Sequence, residues 1–289
     1  MPEPIIQFRN IHKSFGDKVI YQGLDLDVYP GETLTIIGGS GVGKSVMLKM
    51  LVGLLKPDEG TITAFGQEIT GLGEKEMLGV RRRVAMLFQG AALFDSMSVA
   101  DNIKYPLREH RWGTEAEMSD RVTEVLEMVG VPGSHALYPA ELSGGMRKRI
   151  GLARSIAIQP EVILYDEPTT GLDPINVRRI NGLILRLQEK LGVTSMVVTH
   201  DMDSVFTVTD RLAMVYNHKI AFTGTLDEAK TSDFRYLREF ISGGRGVLGD
   251  DFDEDPETVE VEDAIINHLL DEDASDNSDN SDTNESQSS

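Results

Sequence analysis

Gly38-Gly39-Ser40-Gly41-Val42-Gly43-Lys44-Ser45, running on into Val46, has the spacing Gly-x-x-x-x-Gly-Lys-Ser of a loop that holds phosphate. Glycines let the backbone fold around a triphosphate with amide N–H groups pointing inward, and a helix that follows adds its positive N-terminal end. Lys44 is then expected to reach the β- and γ-phosphates, and the Ser45 hydroxyl to ligate Mg²⁺. The flanking sequence supplies the context the motif needs. Thr33-Leu34-Thr35-Ile36-Ile37 is a short apolar run, and Met47, Leu48, Met50, Leu51 and Leu54 follow in a helical stretch. Strand, glycine loop and helix occur in that order.

Upstream, Leu24, Leu26 and Val28 alternate with Asp25 and Asp27, and Pro30-Gly31 turns the chain, which predicts an antiparallel β start. Downstream, 84–88, 162–165, 195–199 and 212–216 read as buried strands with helical patterns between several of them. That alternation predicts a largely parallel sheet covered on both faces. The strand signal lapses between about residues 90 and 160, where Met118, Val122, Val125, Leu126 and Val129 mark an amphipathic helix over 115–129. The expected fold is therefore an α/β core over residues 1–240 with an antiparallel β subdomain and a helical insert.

The net charge of −19 is unevenly spread, because residues 250–289 hold 16 Asp plus Glu and no Lys or Arg, leaving −3 for residues 1–249. A tail over 241–289 is expected to stay mostly disordered, since Asp, Glu, Ser and Asn cannot bury enough apolar surface to offset chain entropy. Its one apolar pattern, over 261–270, is equally compatible with a docking helix and a transient one. The body's charge gives no general reason to bind nucleic acid, and Arg81-Arg82-Arg83 reads as a solvated face. No cysteine is present, which excludes disulfides and thiol catalysis. No apolar run approaches the roughly 20 residues of a membrane span, and the first residues lack the pattern of a signal peptide, so the chain is expected to stay soluble where it is made.

Two further constellations carry chemistry. Val162-Ile163-Leu164-Tyr165-Asp166-Glu167 is an apolar strand ending in two acids, and strand alternation predicts that Asp166 and Glu167 face opposite sides. Asp166 is then the metal residue and Glu167 the base acting on water near a γ-phosphate. Leu142-Ser143-Gly144-Gly145-Met146, followed by Arg147-Lys148-Arg149, is a second glycine turn opening a helix, whose N-terminus suits another anion. Two such loops about a hundred residues apart suit a chain in which each serves a different nucleotide across a two-fold interface.

The order of these motifs resembles that of ABC-type ATPase domains over roughly residues 5–240: the phosphate loop, Gln89 after a strand, Leu142–Met146, Asp166-Glu167, Gly171-Leu172-Asp173-Pro174, and His200 after a strand. The resemblance implies binding and hydrolysis of ATP with Mg²⁺ by a homodimer. It implies that Phe15 stacks on adenine and that Gln89 contacts Mg²⁺ and senses a transport partner. Ser143 and Gly145, with Gly144 between them, would meet the γ-phosphate held by the other copy. Asp173 would link the two sites, and His200 would hold the γ-phosphate and attacking water. Taken alone, Phe15 reads as core, Gln89 as a strand-end cap and His200 as a buried imidazole. Met146 departs from the family's usual glutamine and supplies no side-chain amide.

The run Leu142-Ser-Gly-Gly-Met-Arg-Lys-Arg149, with Phe88-Gln-Gly-Ala-Ala-Leu-Phe-Asp-Ser-Met-Ser-Val99, resembles the ATPases of Mce-type lipid transporters, the Mla system above all. That likeness implies phospholipid transport between inner membrane and outer envelope, maintaining outer-membrane lipid asymmetry. The implied partners are an integral-membrane permease, a periplasmic lipid-binding Mce-domain protein and a small cytosolic STAS-domain protein. The implied place is cytoplasmic, peripheral on the inner membrane. Alternatives are the ATPase of an importer for amino acids or other small solutes, and a non-transport ABC ATPase. Ala91, Ala92, Leu93, Phe94 and Met97 read equally as a socket for a permease helix and as ordinary core.

Overall fold

A computed structural model describes residues 2–242. In chain order the elements are β1 (Ile6–Phe15), β2 (Lys18–Val28), β3 (Thr33–Ile37), α1 (Lys44–Leu51), β4 (Glu59–Ala64), β5 (Gln67–Glu68), α2 (Glu74–Arg83), β6 (Val84–Leu87), α3 (Val99–Glu109), α4 (Glu115–Met128), α5 (Gly144–Ala157), β7 (Val162–Asp166), α6 (Pro174–Leu191), β8 (Thr194–Val198), α7 (Met202–Val208), β9 (Arg211–Tyr216), β10 (Lys219–Gly224), α8 (Leu226–Thr231) and α9 (Arg235–Ile241).

Two sheets organise them. The first is antiparallel, in the order β2-β1-β4-β5; the second runs β10-β9-β3-β8-β7-β6 and is parallel from β9 to β6. Every residue of β3, β7 and β8 is buried, as central strands of a sheet covered on both faces must be. One apolar cluster lies between the two sheets around α1, with Phe8, Leu24, Leu48 and Leu164 at its centre. A second joins the other face of the parallel sheet to α3, α4 and α5, the insert expected between 90 and 160. Each insert helix is capped by a side-chain oxygen: Ser98 accepts from the Asp101 N–H, Thr114 from Glu117 and Ser143 from Met146.

A third cluster packs α8 and α9 against β9, and Ile241 is buried in it, so ordered packing reaches the last turn of α9. The expected boundary at 240 falls inside that helix. The segment 261–270 lies outside the described residues. Arg81 pairs with Glu74 and Arg83 with Glu161, and the Arg83 guanidinium lies 3.6 Å over the Phe65 ring. Among the described residues no helix is long and apolar enough to cross a membrane.

Candidate active site

The parallel strands deliver the chemistry at their C-terminal ends. β3 runs into the phosphate loop and α1 begins at Lys44, so the loop spans one strand end and one helix start. Gly38 and Gly43 have φ of 152° and 97°, in the region that favours glycine. A Cβ on Gly38 would stand 2.7 Å from the Val215 carbonyl oxygen, and one on Gly43 2.3 Å from the Ile20 side chain. The Tyr21 hydroxyl donates to the Gly43 carbonyl at 2.5 Å, tying the loop to the antiparallel sheet.

Lys44 Nζ donates to the carbonyls of Gly38 (3.0 Å) and Gly39 (2.7 Å), which curls the side chain back over its own loop. Burial pulls this ammonium below the usual lysine value, while the charges of Glu167 and Asp166 hold it up. The Ser45 hydroxyl donates to Asp166 Oδ1 at 2.5 Å. Asp166 is 5% exposed, and burial pushes its carboxyl above the ordinary Asp value against the opposing pull of that hydrogen bond.

Strand alternation does not aim Glu167, contrary to expectation. Asp166 ends β7, but Glu167 turns out of the strand at φ 47°, a left-handed conformation that side chains resist. Its surroundings hold it there. Its N–H donates to the Val198 carbonyl (2.9 Å), and its carbonyl accepts from Lys148 Nζ (3.1 Å). Its carboxylate accepts from the Thr170 hydroxyl (3.0 Å) and from His200 Nδ1 (2.9–3.0 Å). Against a carboxylate, Nδ1 is the donor in this contact. His200 is largely exposed, whereas Glu167 is mostly covered. The turn behind His200 is fixed by Asp201, whose Oδ2 accepts from Thr169 (3.1 Å) and Ser204 (2.7 Å).

Lys44, Ser45, Asp166, Glu167 and His200 therefore form one group, and Gln89 adjoins it through Lys148, which donates to the Gln89 carbonyl as well as to Glu167. Gln89 itself is exposed just past β6. Phe15 lies at the end of β1, partly buried against the core, with Lys13 Nζ 5.1 Å from its ring centre.

Ser143, Gly144, Gly145 and Asp173 form a second group. Asp173 caps α6 by accepting from the N–H groups of Ile175 (2.9 Å) and Asn176 (3.0 Å), and the Asn176 amide donates back to Asp173 Oδ2 at 2.5 Å. The same Asn176 packs on the glycine turn, since a Cβ on Gly145 would meet its side chain at 2.7 Å. Ser143, Gly144 and Asp173 are exposed, and so is Ile175, at 56%. Among the described residues no hydrogen bond joins this group to the phosphate loop.

Motif and period alone do not single out Lys148 or Asn176. Lys148 sits inside a basic triplet, yet helical spacing puts it on the face of Gly145 and Leu152, both buried, while Arg147 is exposed. That spacing is the available signal. Asn176 has none, because only the fold brings α6 to the glycine turn.

The family described as ABC transporter matches residues 21–170 of the chain. The intermembrane phospholipid transport system ATP-binding protein MlaF of Haemophilus influenzae is 41% identical over 243 residues, 84% of this chain and 92% of that protein. The probable ribonucleotide transport ATP-binding protein mkl of Mycobacterium leprae is 39% identical over 262 residues, 90% of this chain and 76% of that protein. Among solved structures, a dimeric post-hydrolysis state of the ATP-binding cassette MJ0796 bound to ADP and phosphate superposes with a TM-score of 0.71 at 29% identity, over 76% of this chain and 98% of that one. With the motif order, the geometry and these likenesses in agreement, the chain belongs to the ABC transporter family, as a subunit that binds and hydrolyses ATP.

Proposed function

We propose that this ATPase powers phospholipid movement between the inner membrane and the outer envelope, acting as a homodimer on the cytoplasmic face beneath an integral-membrane permease. The observation that carries the cargo is the 41% identity, over most of both chains, to a protein named for intermembrane phospholipid transport. The partners are a permease, an Mce-domain lipid-binding protein and a STAS-domain protein. Exposed Phe94 and Tyr105, with ring centres 4.8 Å apart close beyond Gln89, offer apolar surface for a permease helix.

In the proposed cycle, loop 38–46 wraps the triphosphate, Lys44 swings to its β- and γ-oxygens, and Phe15 stacks on adenine. Ser45, Asp166 and Gln89 would hold Mg²⁺. A hydroxyl and a buried carboxylate 2.5 Å apart beside a phosphate loop suit a hard cation that takes its other ligands from phosphate and water. Bound there, the ion would neutralise charge on the phosphates. Glu167 takes the proton of the attacking water while His200 steadies that water and the γ-phosphate, so catalysis rests on positioning and charge. Ser143, Gly144 and Gly145 of the second copy close the site, and Asp173 links the two halves. The exposed glycine turn and Ile175 support this face as the one that meets the other copy.

A second reading, ribonucleotide transport, draws on the name of the Mycobacterium leprae relative. Recovery of the tagged full-length chain in mild detergent, with mass spectrometry of proteins and lipids, decides between them. Co-purification of a permease, an Mce-domain protein and phospholipid is the expected outcome. A permease without either, or with bound nucleotide cargo, would overturn the lipid assignment.

A further inference from the structure

We infer that Lys148 is a positioning residue of ATP hydrolysis: its single buried ammonium holds both the Gln89 backbone just past β6 and the backbone of Glu167, tying the helix that starts at the Ser143 turn to the catalytic base. The inference rests on Glu167 being that base.

Lys148 lies one turn into α5 and is 6% exposed. Nζ donates to the Glu167 carbonyl at 3.1 Å and to the Gln89 carbonyl. Among the described residues it has no carboxylate within ion-pair distance, and its partners are two backbone carbonyls just past the ends of β6 and β7. Burial draws the ammonium below the ordinary lysine value, and the nearby charges of Asp166 and Glu167 act to keep it protonated. A buried cation of this kind is costly unless its donors are used.

The rest of α5 grips the same segment. Gly151 lets the helix approach so closely that a Cβ there would stand 2.9 Å from Leu87 and 3.0 Å from Ala91. Ser155 donates to the Met86 carbonyl (3.2 Å), and Arg154 donates to the carbonyls of Ala91 (2.9 Å) and Ala92 (2.7 Å). Ala91 and Ala92 both have positive φ, 62° and 46°, a conformation that L-residues keep only when the surroundings over-determine it. The carbonyls of 86, 89, 91 and 92 are thus all read by one helix. Of these side chains, Lys148 alone also reaches Glu167, just past β7. A shift of the 88–97 stretch moves the Gln89 carbonyl, Lys148 follows, and the Glu167 backbone, already in a left-handed turn, changes the aim of its carboxylate. The same lever runs from the Ser143 turn through α5.

The test is steady-state ATP hydrolysis by the full-length chain in its mild-detergent complex. Lys148→Met should lower kcat by roughly 10- to 100-fold and leave KM for ATP within about twofold, the signature of a misplaced catalytic group rather than lost binding. Lys148→Arg, which keeps a cation and several donors for the two carbonyls, should return kcat to within about threefold of the parent. Arg154→Met frees Ala91 and Ala92 without touching Glu167 and should cost less than Lys148→Met. If Lys148→Met does not fold, Lys148→Gln decides, because it keeps a polar side chain while its neutral amide is one bond too short to hold both carbonyls. A kcat within about twofold of the parent in the folded neutral variant overturns the inference. So does a parallel loss of kcat, KM and melting temperature that Lys148→Arg fails to restore. Normal hydrolysis by Glu167→Gln would instead sink the base assignment on which the inference stands.

Discussion

The phosphate-loop group and the Ser143 group are built in opposite ways. Around the buried Lys44 and Asp166 the side chains share hydrogen bonds, nearby charges bear on their protonation, and elements from three strand ends converge. Around Ser143 the chain exposes two glycine-turn residues and an unpartnered Ile175, and its polar groups serve as helix caps. The first is assembled within one chain, whereas the second stands exposed on its surface. An exposed glycine turn at a helix N-terminus suits the proposed interface, in which the second copy's nucleotide would complete it.

The comparison breaks first at the base. Glu167→Gln should cut hydrolysis by about 10³-fold, the range of a lost general base, while ATP still binds and a closed dimer accumulates in size-exclusion chromatography. Normal turnover would return Glu167 to a merely structural role. Next in size, Gly145→Val should lower hydrolysis by about 10²-fold, because the new side chain must displace Asn176, while each chain still binds ATP. Mixing Gly145→Val chains with Lys44→Ala chains sharpens the point. One composite site in the mixed dimer has both an intact phosphate loop and an intact turn, so activity should reappear. No recovery would mean that the two groups do not meet across copies.

The smallest effect concerns stability. Burial raises the Asp166 carboxyl above its ordinary value of 3.8, so the charged form is disfavoured in the folded chain. That cost is present at neutral pH and disappears as the pH falls below the ordinary Asp value. Asp166→Asn should therefore abolish hydrolysis yet raise the nucleotide-free melting temperature by about 1–3 °C at pH 7, with the gap closing on acidification. A lower melting temperature at pH 7 would show that the Ser45 hydrogen bond outweighs the burial cost.

Much of the fold and of the site is legible in the amino-acid sequence. The glycine loop, the acid pair and the apolar runs of β3, β7, β8 and β9 each carry a local pattern, and parallel central strands read as continuous apolar segments. β1 escapes such a reading, although Ile6 and Phe8 alternate with polar neighbours, because register shifts follow Phe8 and Asn10 sits at φ 48°, which throws Ile11 out of phase. The aim of Glu167 departs from expectation for a related reason: a single left-handed residue cancels the period-two rule that places Asp166. Lys148 and Asn176 make contacts between segments far apart in sequence; helical period hints that Lys148 is buried, but neither its partners nor those of Asn176 are encoded in composition or period.

The sheet order carries a consequence for synthesis. β3 hydrogen-bonds to β8 and β9 and to no earlier strand, so the strand that leads into the phosphate loop must wait for roughly 160 further residues before it has a neighbour. At ribosomal speeds that is about 10–30 s during which the five residues of β3 stay unpaired. Until β8 emerges, the phosphate loop lacks the sheet that anchors the strand leading into it.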